Sequence, residues 1–304
     1  SYKGGFTYVS DKYAGKEVGE GVVFDVNSLY PSRMMYELLP VGQPEPFTGR
    51  YKRDANYPLY IQKLECVFEL KPDKIPSIQI KHSLSFMQNE YLKSSNGEIV
   101  SLMLTKPDLE LFFEQYDVEV VSWNGGYKFK QAKGIFDEYI NHWTESKIQA
   151  KKDNNTALYR IAKLMLNSLY GKFGLNPNVR GKFPYLSEDG VVKYGLYEAE
   201  IRNSIYLPVA SFITSYARAD IIRSSQQIRD YSLKKYGKDL YVYSDTDSIH
   251  CLFDENEDLS SVLDIDDYRL GAWKLESKFK RGKYLRQKCY IELGYDEVRI
   301  IANN

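Results

Sequence analysis

The chain has 304 residues, of which 43% are apolar and 27% charged, and its 41 basic residues are balanced by 41 acidic ones. This composition excludes a disordered chain and a fibre, and the lack of a long apolar run excludes a membrane span. The zero net charge excludes a protein that holds nucleic acid by bulk positive charge, but it allows a local basic channel.

Three widely spaced cysteines and three histidines argue against a disulfide framework or a zinc site. The odd, sparse set of cysteines predicts reduced thiols in a cytoplasmic protein, and the first residues, SYKGGFTYVS, show no signal-peptide pattern. The length suggests about two domains, or one large body with insertions.

The first half of the chain begins with a predicted buried strand, GVVFDV at residues 21–26. A short helix is predicted to follow, with Pro31 in its first turn, Met34, Met35 and Leu38 along it, and Pro40 ending it. Residues 41–132 are mixed and read as an inserted subdomain, with a strand KLECVFEL and a helix around Leu109, Phe112 and Phe113.

The second half is predicted to open with two helices, at residues 134–150 and 155–172, separated by a turn and N-cap at residues 153–155. The predicted elements that follow are a hairpin-like insertion at 174–205, a helix at 208–236, a strand–turn–strand in LYVYSDTDSIHCLF, a basic run, and the strands KCYIEL and EVRII.

The helix of residues 155–172 has two faces. Its polar face carries Arg160, Lys163, Asn167 and Tyr170, and its apolar face carries Leu158, Ile161, Ala162, Met165 and Leu169. An ordinary amphipathic helix explains the pattern, but a solvated face usually mixes acids with bases, and this one has no acid. The pattern therefore favours a face that contacts phosphate.

Three aspartates occupy unusual positions. Asp25 ends an apolar strand, where a charge is costly without compensation, and Asp245 and Asp247 lie at a predicted strand–turn–strand tip. A plain hairpin turn is the alternative, and the spacing does not fit an EF-hand. If Asp25 meets a turn aspartate, the pair could hold two divalent ions about 4 Å apart for nucleotidyl transfer, with Arg160 and Lys163 binding the triphosphate.

The intervening sequences LLPVGQPEPFTGRY, NEYLKSSNGEI, KFPYLSEDG and FKRGKYLRQK resemble the protein-primed, phi-twenty-nine type branch of family B DNA polymerases, and five motifs in order resemble those of the whole family. The motifs are YKGG (2–5), DVNSLYPS (25–32), KLMLNSLYGK (163–172), YSDTDSIH (243–250) and KCY (288–290). The resemblance implies an α+β fold: a right-hand polymerase palm of antiparallel sheet with helices, helical fingers and two inserted subdomains. It also implies that the proofreading exonuclease and most of the thumb are absent from this chain.

The implied organisation follows these motifs. It comprises a first palm part at 1–36, an insertion at 37–132 resembling the region that contacts a terminal protein, fingers at 133–173, a second insertion at 174–205 linked to processivity and strand displacement, and a second palm part at 206–304.

The resemblance also implies residue roles. Asp25 and Asp247, with the carbonyl of Val26, would bind two Mg²⁺ ions, for which Mn²⁺ could substitute, and Asp245 would support the geometry. The residues implied to contact the nucleotide are Tyr30, which would exclude a ribose 2′-hydroxyl, Lys147, Arg160, Lys163 and Tyr170. The residues implied to contact DNA are Tyr2, Gly4, Gly5, Asn167, Gly171, Thr246, Lys288 and Tyr290.

The basic run between Lys278 and Lys288 is interleaved with Phe279 and Tyr284, a pattern that fits a groove along a nucleic-acid backbone, although a solvated face is the ordinary reading. The expected partners are template and primer DNA, deoxynucleoside triphosphates, a terminal protein primer and separate exonuclease or thumb segments, with no membrane. A phage-encoded chain would act in the host cytoplasm.

The leading hypothesis is therefore a DNA-directed DNA polymerase core. One alternative is a non-catalytic part of a divided polymerase that binds DNA or the primer protein. A weaker alternative is RNA synthesis or reverse transcription, and Tyr30 argues against the use of ribonucleotides.

Overall fold

The computed structural model describes residues 2–80, 90–175, 178–201 and 205–302. His82 lies outside these ranges. The helices are α1 (Leu29–Tyr36), α2 (Lys106–Gln115), α3 (Asp137–Lys152), α4 (Thr156–Phe173) and α5 (Leu207–Tyr236). The strands are β1 (Thr7–Val9), β2 (Glu17–Val18), β3 (Gly21–Val26), β4 (Leu39–Phe47), β5 (Leu59–Leu70), β6 (Ile78–Ile80), β7 (Glu90–Leu92), β8 (Val100–Thr105), β9 (Tyr116–Ala132), β10 (Asn178–Val179), β11 (Lys182–Leu186), β12 (Val192–Leu196), β13 (Glu200–Ile201), β14 (Tyr241–Asp245), β15 (Ser248–Cys251), β16 (Trp273–Arg286), β17 (Cys289–Gly294) and β18 (Val298–Ala302).

The main sheet has eight antiparallel strands in the order β1-β14-β15-β3-β16-β17-β18, with β2 paired to β16. Its central strand β3 is GVVFDV, whose β-branched and aromatic side chains suit a sheet buried on both faces. This sheet and its helices are the antiparallel palm that the sequence motifs predict.

The two faces of the main sheet are covered differently. Val22, Phe24 and Val26 pack in one core with the long helix α5, whereas Val23 packs in a second core with Tyr243 and Tyr290. Because successive side chains of a strand alternate, Asp25 shares the face of Val23, opposite α5. The strand pattern therefore puts the first candidate metal ligand on the face that α5 leaves uncovered.

A separate four-stranded sheet, in the order β4-β9-β5-β8, is built within residues 39–132. Helix α2 packs on it through Leu109 and Phe112, and its N-cap is Thr105, whose hydroxyl accepts a hydrogen bond from the amide of Asp108. Helix α2 also contacts α5, which joins this sheet to the palm.

Helices α3 and α4 pack against each other and, through α4, against α1 and α5. Asn155 caps α4 as predicted, because its side chain accepts a hydrogen bond from the amide of Leu158. Beyond α4, the described part of residues 174–205 forms two small antiparallel ladders, β10–β13 and β11–β12.

Two local predictions were wrong. Helix α1 ends at Tyr36, so Leu38 lies outside it and Pro40 lies in β4 instead of ending the helix. The reason is that β4 pairs with β9 from Leu39 onwards, which draws the chain into extended structure. None of the described helices is both long and apolar enough to cross a membrane.

Candidate active site

A cleft of about 410 Å³ lies where β3, the β14–β15 turn, β16 and helices α1, α3 and α4 meet. It gathers three acidic side chains and three lysines. Its lining residues are Asp25, Val26, Asn27, Ser28, Leu29, Tyr30, Lys147, Tyr159, Lys163, Asn167, Tyr170, Asp247, Lys274 and Glu276.

Asp25 and Asp247 are brought together by strand pairing. Strands β3 and β15 are antiparallel neighbours in which Ser248 lies opposite Asp25, and the amide of Val26 donates a 2.8 Å hydrogen bond to the carbonyl of Asp247. Both carboxyls line the cleft, although 222 positions separate them in the sequence (247 minus 25). The predicted meeting of Asp25 with a turn aspartate therefore occurs at Asp247.

The two carboxyls have different electrostatic surroundings. Burial and the neighbouring charges of Asp25 and Asp245 raise the pKa of Asp247 to about 7. Burial also raises the pKa of Asp25, but the Lys274 ammonium, 3.2 Å from its Oδ1, opposes that shift. Among the described side chains, Asp247 has no cationic partner, so it is a half-buried acid whose charged form is favoured by a counter-charge.

Asp245 lies outside the lining of the cleft. Its carboxylate accepts hydrogen bonds from Lys288 Nζ at 2.5 Å, the Tyr243 hydroxyl at 3.2 Å and Thr7 Oγ1 at 3.3 Å. The physical reason is that Asp245 is the last residue of β14 and pairs with Thr7 of β1. Asp245 therefore holds β1 and Lys288 against β14, and it would support the site only indirectly, through these neighbours.

The turn that presents Asp247 is tight. Thr246 has a φ of 64°, in the left-handed region that costs energy for a residue with a Cβ, and its amide donates to the carbonyl of Phe6 at 2.7 Å. Gly5 sits against this turn, because an added Cβ would lie 2.7 Å from Thr246 Cγ2 and 2.9 Å from the Tyr30 hydroxyl. The glycine is therefore required by close approach.

Two of the three predicted cations reach the cleft. Lys163 lines it from α4, and Lys147 reaches it from α3, where its ammonium donates a 2.8 Å hydrogen bond to Ser28 Oγ. Burial, then the nearby ammonium groups of Lys274 and Lys163, lowers the pKa of Lys147 to about 8. Lys147 and Lys163 therefore place positive charge in the cleft near Asp25.

Arg160 is exposed and does not line the cleft. Tyr159 lines the cleft at the place where Arg160 was predicted to be. The face of α4 that lines the cleft is Tyr159, Lys163, Asn167 and Tyr170, with spacings of four, four and three residues. Successive residues of a helix are rotated by 100° about its axis, so Arg160 points away from the cleft that Tyr159 lines.

The prediction of the apolar face of α4 was also partly wrong. The buried residues are Ala162 and Leu166, whereas Leu158 and Ile161 are 38% and 50% exposed. The helix packs along this narrow stripe against α1, α3 and α5, so its outer apolar residues stay at the surface.

Aromatic rings close one side of the cleft. Tyr30 of α1 stacks on Tyr170 of α4 with a centroid separation of 4.0 Å and an interplanar angle of 29°. Tyr2 lies beside the end of α4, where an added Cβ on Gly174 would be 2.4 Å from its hydroxyl. Gly171, one residue beyond Tyr170, has open space around it, and so does Gly4.

Tyr290 is placed in the core beneath the site. It is 6% exposed and stacks on Tyr284, near Tyr243 and His250. Beside it, His250 Nδ1 lies 2.6 Å from Glu292 Oε1, and the Tyr284 hydroxyl donates to the same oxygen at 2.6 Å. Tyr290 therefore supports the β16–β17 turn that carries Lys288.

The basic run is not the aromatic-lined groove expected from the sequence. It forms strand β16, and Phe279 and Tyr284 are 2% and 0% exposed because they point into the core. Lys278 and Arg281 form ion pairs with Glu255 and Glu17. Much of the positive charge is thus neutralised locally.

A divalent metal fits the donors of this cleft. Magnesium is commonly held by one or two carboxylates together with substrate phosphates, and Asp25 and Asp247 offer such hard oxygen ligands in a cleft with cations for phosphate. Among the described residues, no three such side chains are arranged so that they could hold one ion together, so any further ligands would be backbone carbonyls, water or substrate.

Sequence reasoning missed Lys274, Glu276 and Arg218. Lys274 and Glu276 reach the cleft because Lys274 lies opposite Asp25 on β16, and only strand register reveals that pairing. Arg218 of α5 is 6% exposed, ion-paired with Asp108, and donates to the carbonyls of Lys3 and Gly4 at 2.7 and 2.9 Å. No local pattern marks it among the other polar residues of α5.

Comparison with known proteins shows which family the chain resembles. Residues 1–258 match the family model described as DNA polymerase type B, organellar and viral. The chain is 48% identical over 292 residues to the DNA polymerase of Bacillus phage phi29, covering 96% of this chain and 48% of that protein. It is 34% identical over 287 residues to that of Streptococcus phage Cp-1, covering 92% of this chain and 48% of that protein.

A solved structure gives the same result. Phi29 DNA polymerase complexed with primer-template DNA and incoming nucleotide matches with a TM-score of 0.82 and 46% identity, over 99% of this chain and 52% of that one. The chain spans about half the length of the relatives it matches. It belongs to the organellar and viral type B DNA polymerases, in the protein-primed, phi29-type branch.

Proposed function

We propose that this chain carries the polymerisation centre of a DNA-directed DNA polymerase, which adds deoxynucleotides to a primer 3′-hydroxyl or to a hydroxyl of a protein primer. The observation that carries the proposal is the convergence of Asp25 and Asp247 with Lys147 and Lys163 in one cleft. Support for the DNA and nucleotide partners comes from the phi29 polymerase structure, which was solved with both.

Asp25, Asp247 and the carbonyl of Val26 would hold two divalent ions, Mg²⁺ or Mn²⁺. Bound there, the ions would lower the pKa of the attacking hydroxyl and neutralise the leaving pyrophosphate. The protein's own part is to position these carboxylates by the β3–β15 pairing and to keep them in a partly buried site, where charge interactions are stronger than in water.

Lys147 and Lys163 would bind the triphosphate, since both residues line the same cleft as the acids. Tyr30, held by its stack on Tyr170, would lie under the sugar and exclude a 2′-hydroxyl. Asn167 and Gly171 would face the nascent base pair and template, and Tyr2, Gly4, Gly5 and Thr246 would lie along the DNA. Arg160 would contact the triphosphate only after a movement of α4.

Lys288 and Tyr290 would steady the primer end, with Lys288 held in place by Asp245. We further propose that residues 37–132 contact a terminal protein, that residues 174–205 serve processivity and strand displacement, and that exonuclease and thumb functions come from further segments. The site of action would be the cytoplasm of the host cell.

Primer extension tests the catalytic proposal. In the presence of Mg²⁺ or Mn²⁺, Asp25→Ala and Asp247→Ala should each reduce deoxynucleotide incorporation by at least about a thousandfold, because each leaves an ion without its carboxylate. Wild-type incorporation no greater than that of both variants, with DNA still bound, would instead identify a non-catalytic part of a divided polymerase.

A further inference from the structure

Lys274 is held against the proposed metal site by strand register. It lies directly opposite Asp25 in the antiparallel β3–β16 pair, so both side chains emerge on the same face of the sheet. The ammonium is 3.2 Å from Asp25 Oδ1, and both residues line the cleft. The contact follows directly from the fold.

The pairing is asymmetric between the two carboxylates. Asp25 has a protein cation beside it, whereas no described cationic side chain pairs with Asp247. Glu276, two residues beyond Lys274, lines the same cleft. One of the two candidate metal ligands is thus already neutralised before any ion arrives.

A divalent ion bound to Asp25 would compete with Lys274 for the same carboxylate. Two positive charges at one carboxylate repel each other, so the ammonium has to withdraw when the ion binds. Lys274 is able to do so, because its side chain is 32% exposed and lysine has a flexible, strongly hydrated head.

Resting on the polymerase function proposed above, we propose that Lys274 is an exchangeable counter-ion of Asp25: a divalent cation displaces it on binding, and its presence raises the metal concentration that the site requires. Lys274 is therefore a positioning residue that acts on Asp25 and not a ligand itself.

Direct metal binding tests this, without DNA, nucleotide or turnover. Mn²⁺ is titrated into the full chain and the free ion is counted by electron paramagnetic resonance. Lys274→Met should lower the Kd for Mn²⁺ about threefold to fivefold, the range for losing a competing, partly exposed ion pair. Lys274→Arg, which keeps the charge and can form a bidentate pair, should leave the Kd unchanged or raise it.

Lys128→Met is the matched control. Lys128 also pairs with an aspartate, at 2.7 Å from Asp54, but in the four-stranded sheet away from the cleft, so its loss changes the net charge equally. An unchanged Kd in Lys128→Met supports the proposal. A fall equal to that of Lys274→Met would attribute the effect to net charge and overturn it.

Other outcomes separate this inference from the proposed function. A Kd for Lys274→Met equal to or higher than that of wild type overturns the inference alone, provided that Asp25→Asn weakens Mn²⁺ binding. If Asp25→Asn binds Mn²⁺ as wild type does, the metal site itself fails. Thermal unfolding verifies that each variant is folded, and Lys274→Gln replaces Lys274→Met if the latter is not.

Discussion

At the scale of single residues, the site depends on charges whose energies are set by burial. Lys147 is the clearest case, because burial and two neighbouring ammonium groups lower its pKa to about 8. Its positive charge is complete only below that pH. A residue proposed to bind triphosphate is therefore poised to lose its charge in the mildly alkaline range.

We accordingly predict that kcat/KM for the incoming nucleotide falls as the pH rises from 7.5 to 9.5, by about tenfold per pH unit once the pH is well above 8. Lys147→Arg should remove this fall, since arginine stays protonated throughout. Steady-state primer extension across this range measures the effect. An unchanged alkaline fall in Lys147→Arg would assign it to another group.

Gly5 offers a second test at this scale. Gly5→Ala would place a Cβ 2.7 Å from Thr246 Cγ2 and 2.9 Å from the Tyr30 hydroxyl. Relieving these contacts requires the Thr246 and Tyr30 side chains beside the site to move, so we expect a loss of about 1–3 kcal/mol in the free energy of unfolding and a drop in polymerisation. Urea unfolding and primer extension measure the two effects.

Gly19→Ala is the control for that substitution, because an added Cβ there meets no atom within 4 Å. It should leave the free energy of unfolding within about 0.5 kcal/mol of the wild-type value. Equal losses in the two variants would contradict the idea that Gly5 is required by close packing.

At the scale of elements, Arg218 links three parts of the chain. From α5 it pairs with Asp108 of α2 at 2.6 Å and donates to the carbonyls of Lys3 and Gly4. The inserted sheet and the segment bearing Gly5 are thereby tied to the palm. Both partners are largely buried, so removing one leaves the other as an unpaired charge in a buried position.

Arg218→Met should therefore lower the free energy of unfolding by about 3–5 kcal/mol. Arg223 supplies a matched comparison, since it joins the same two helices through Glu114 but with both side chains more than 40% exposed. Arg223→Met should cost less than about 1 kcal/mol. Urea unfolding of both variants decides the matter, and similar losses would refute the special role of Arg218.

The element scale also shows how far sequence patterns reach. Strand β3, the β14–Asp247–β15 turn, helix α5 and the Asn155 cap of α4 follow the predicted pattern, because period, turn residues and capping are local properties. Arg160 and Leu158 do not, because helical period alone fits several rotations of α4 and packing selects one.

At the scale of the whole molecule, 41 basic residues are balanced by 41 acidic ones, and basic and acidic side chains are also paired with each other locally. Along β16, Lys278 and Arg281 are paired with acids, and Lys288 is paired with Asp245. The chain therefore presents limited free positive charge to DNA along this strand. Association with duplex should depend less on salt than a count of its basic residues suggests.

Neutralising Lys280 and Lys283 together, as Lys280→Gln with Lys283→Gln, should lower the slope of log K against log salt by less than about 1, because two full duplex phosphate contacts would contribute about 1.8. Fluorescence anisotropy on a primer–template duplex measures the slope. Lys52→Gln with Arg53→Gln, in the inserted sheet region, serves as the control. A fall of about 1.8 with the β16 variant, and a smaller one with the control, would support the basic groove that the sequence suggested.

By itself, the sequence determined the family and the palm elements, and it predicted the candidate site side chains. Asp25, Asp247, Tyr30 and Lys163 are part of short motifs, and motifs of this kind need no knowledge of distant contacts. The acids and lysines could be assigned to one chemistry because carboxylates favour divalent ions and ammonium groups favour phosphates.

Tertiary structure alone decided which charges share the cleft. Strand register put Lys274 opposite Asp25, the β1–β14 pairing turned Asp245 towards Lys288, and helix packing rotated Arg160 out of the site. A shift of one residue moves a side chain to the other face of a strand or through 100° around a helix. Sequence spacing is compatible with several strand registers and helix rotations, whereas packing across the main sheet selects one of them.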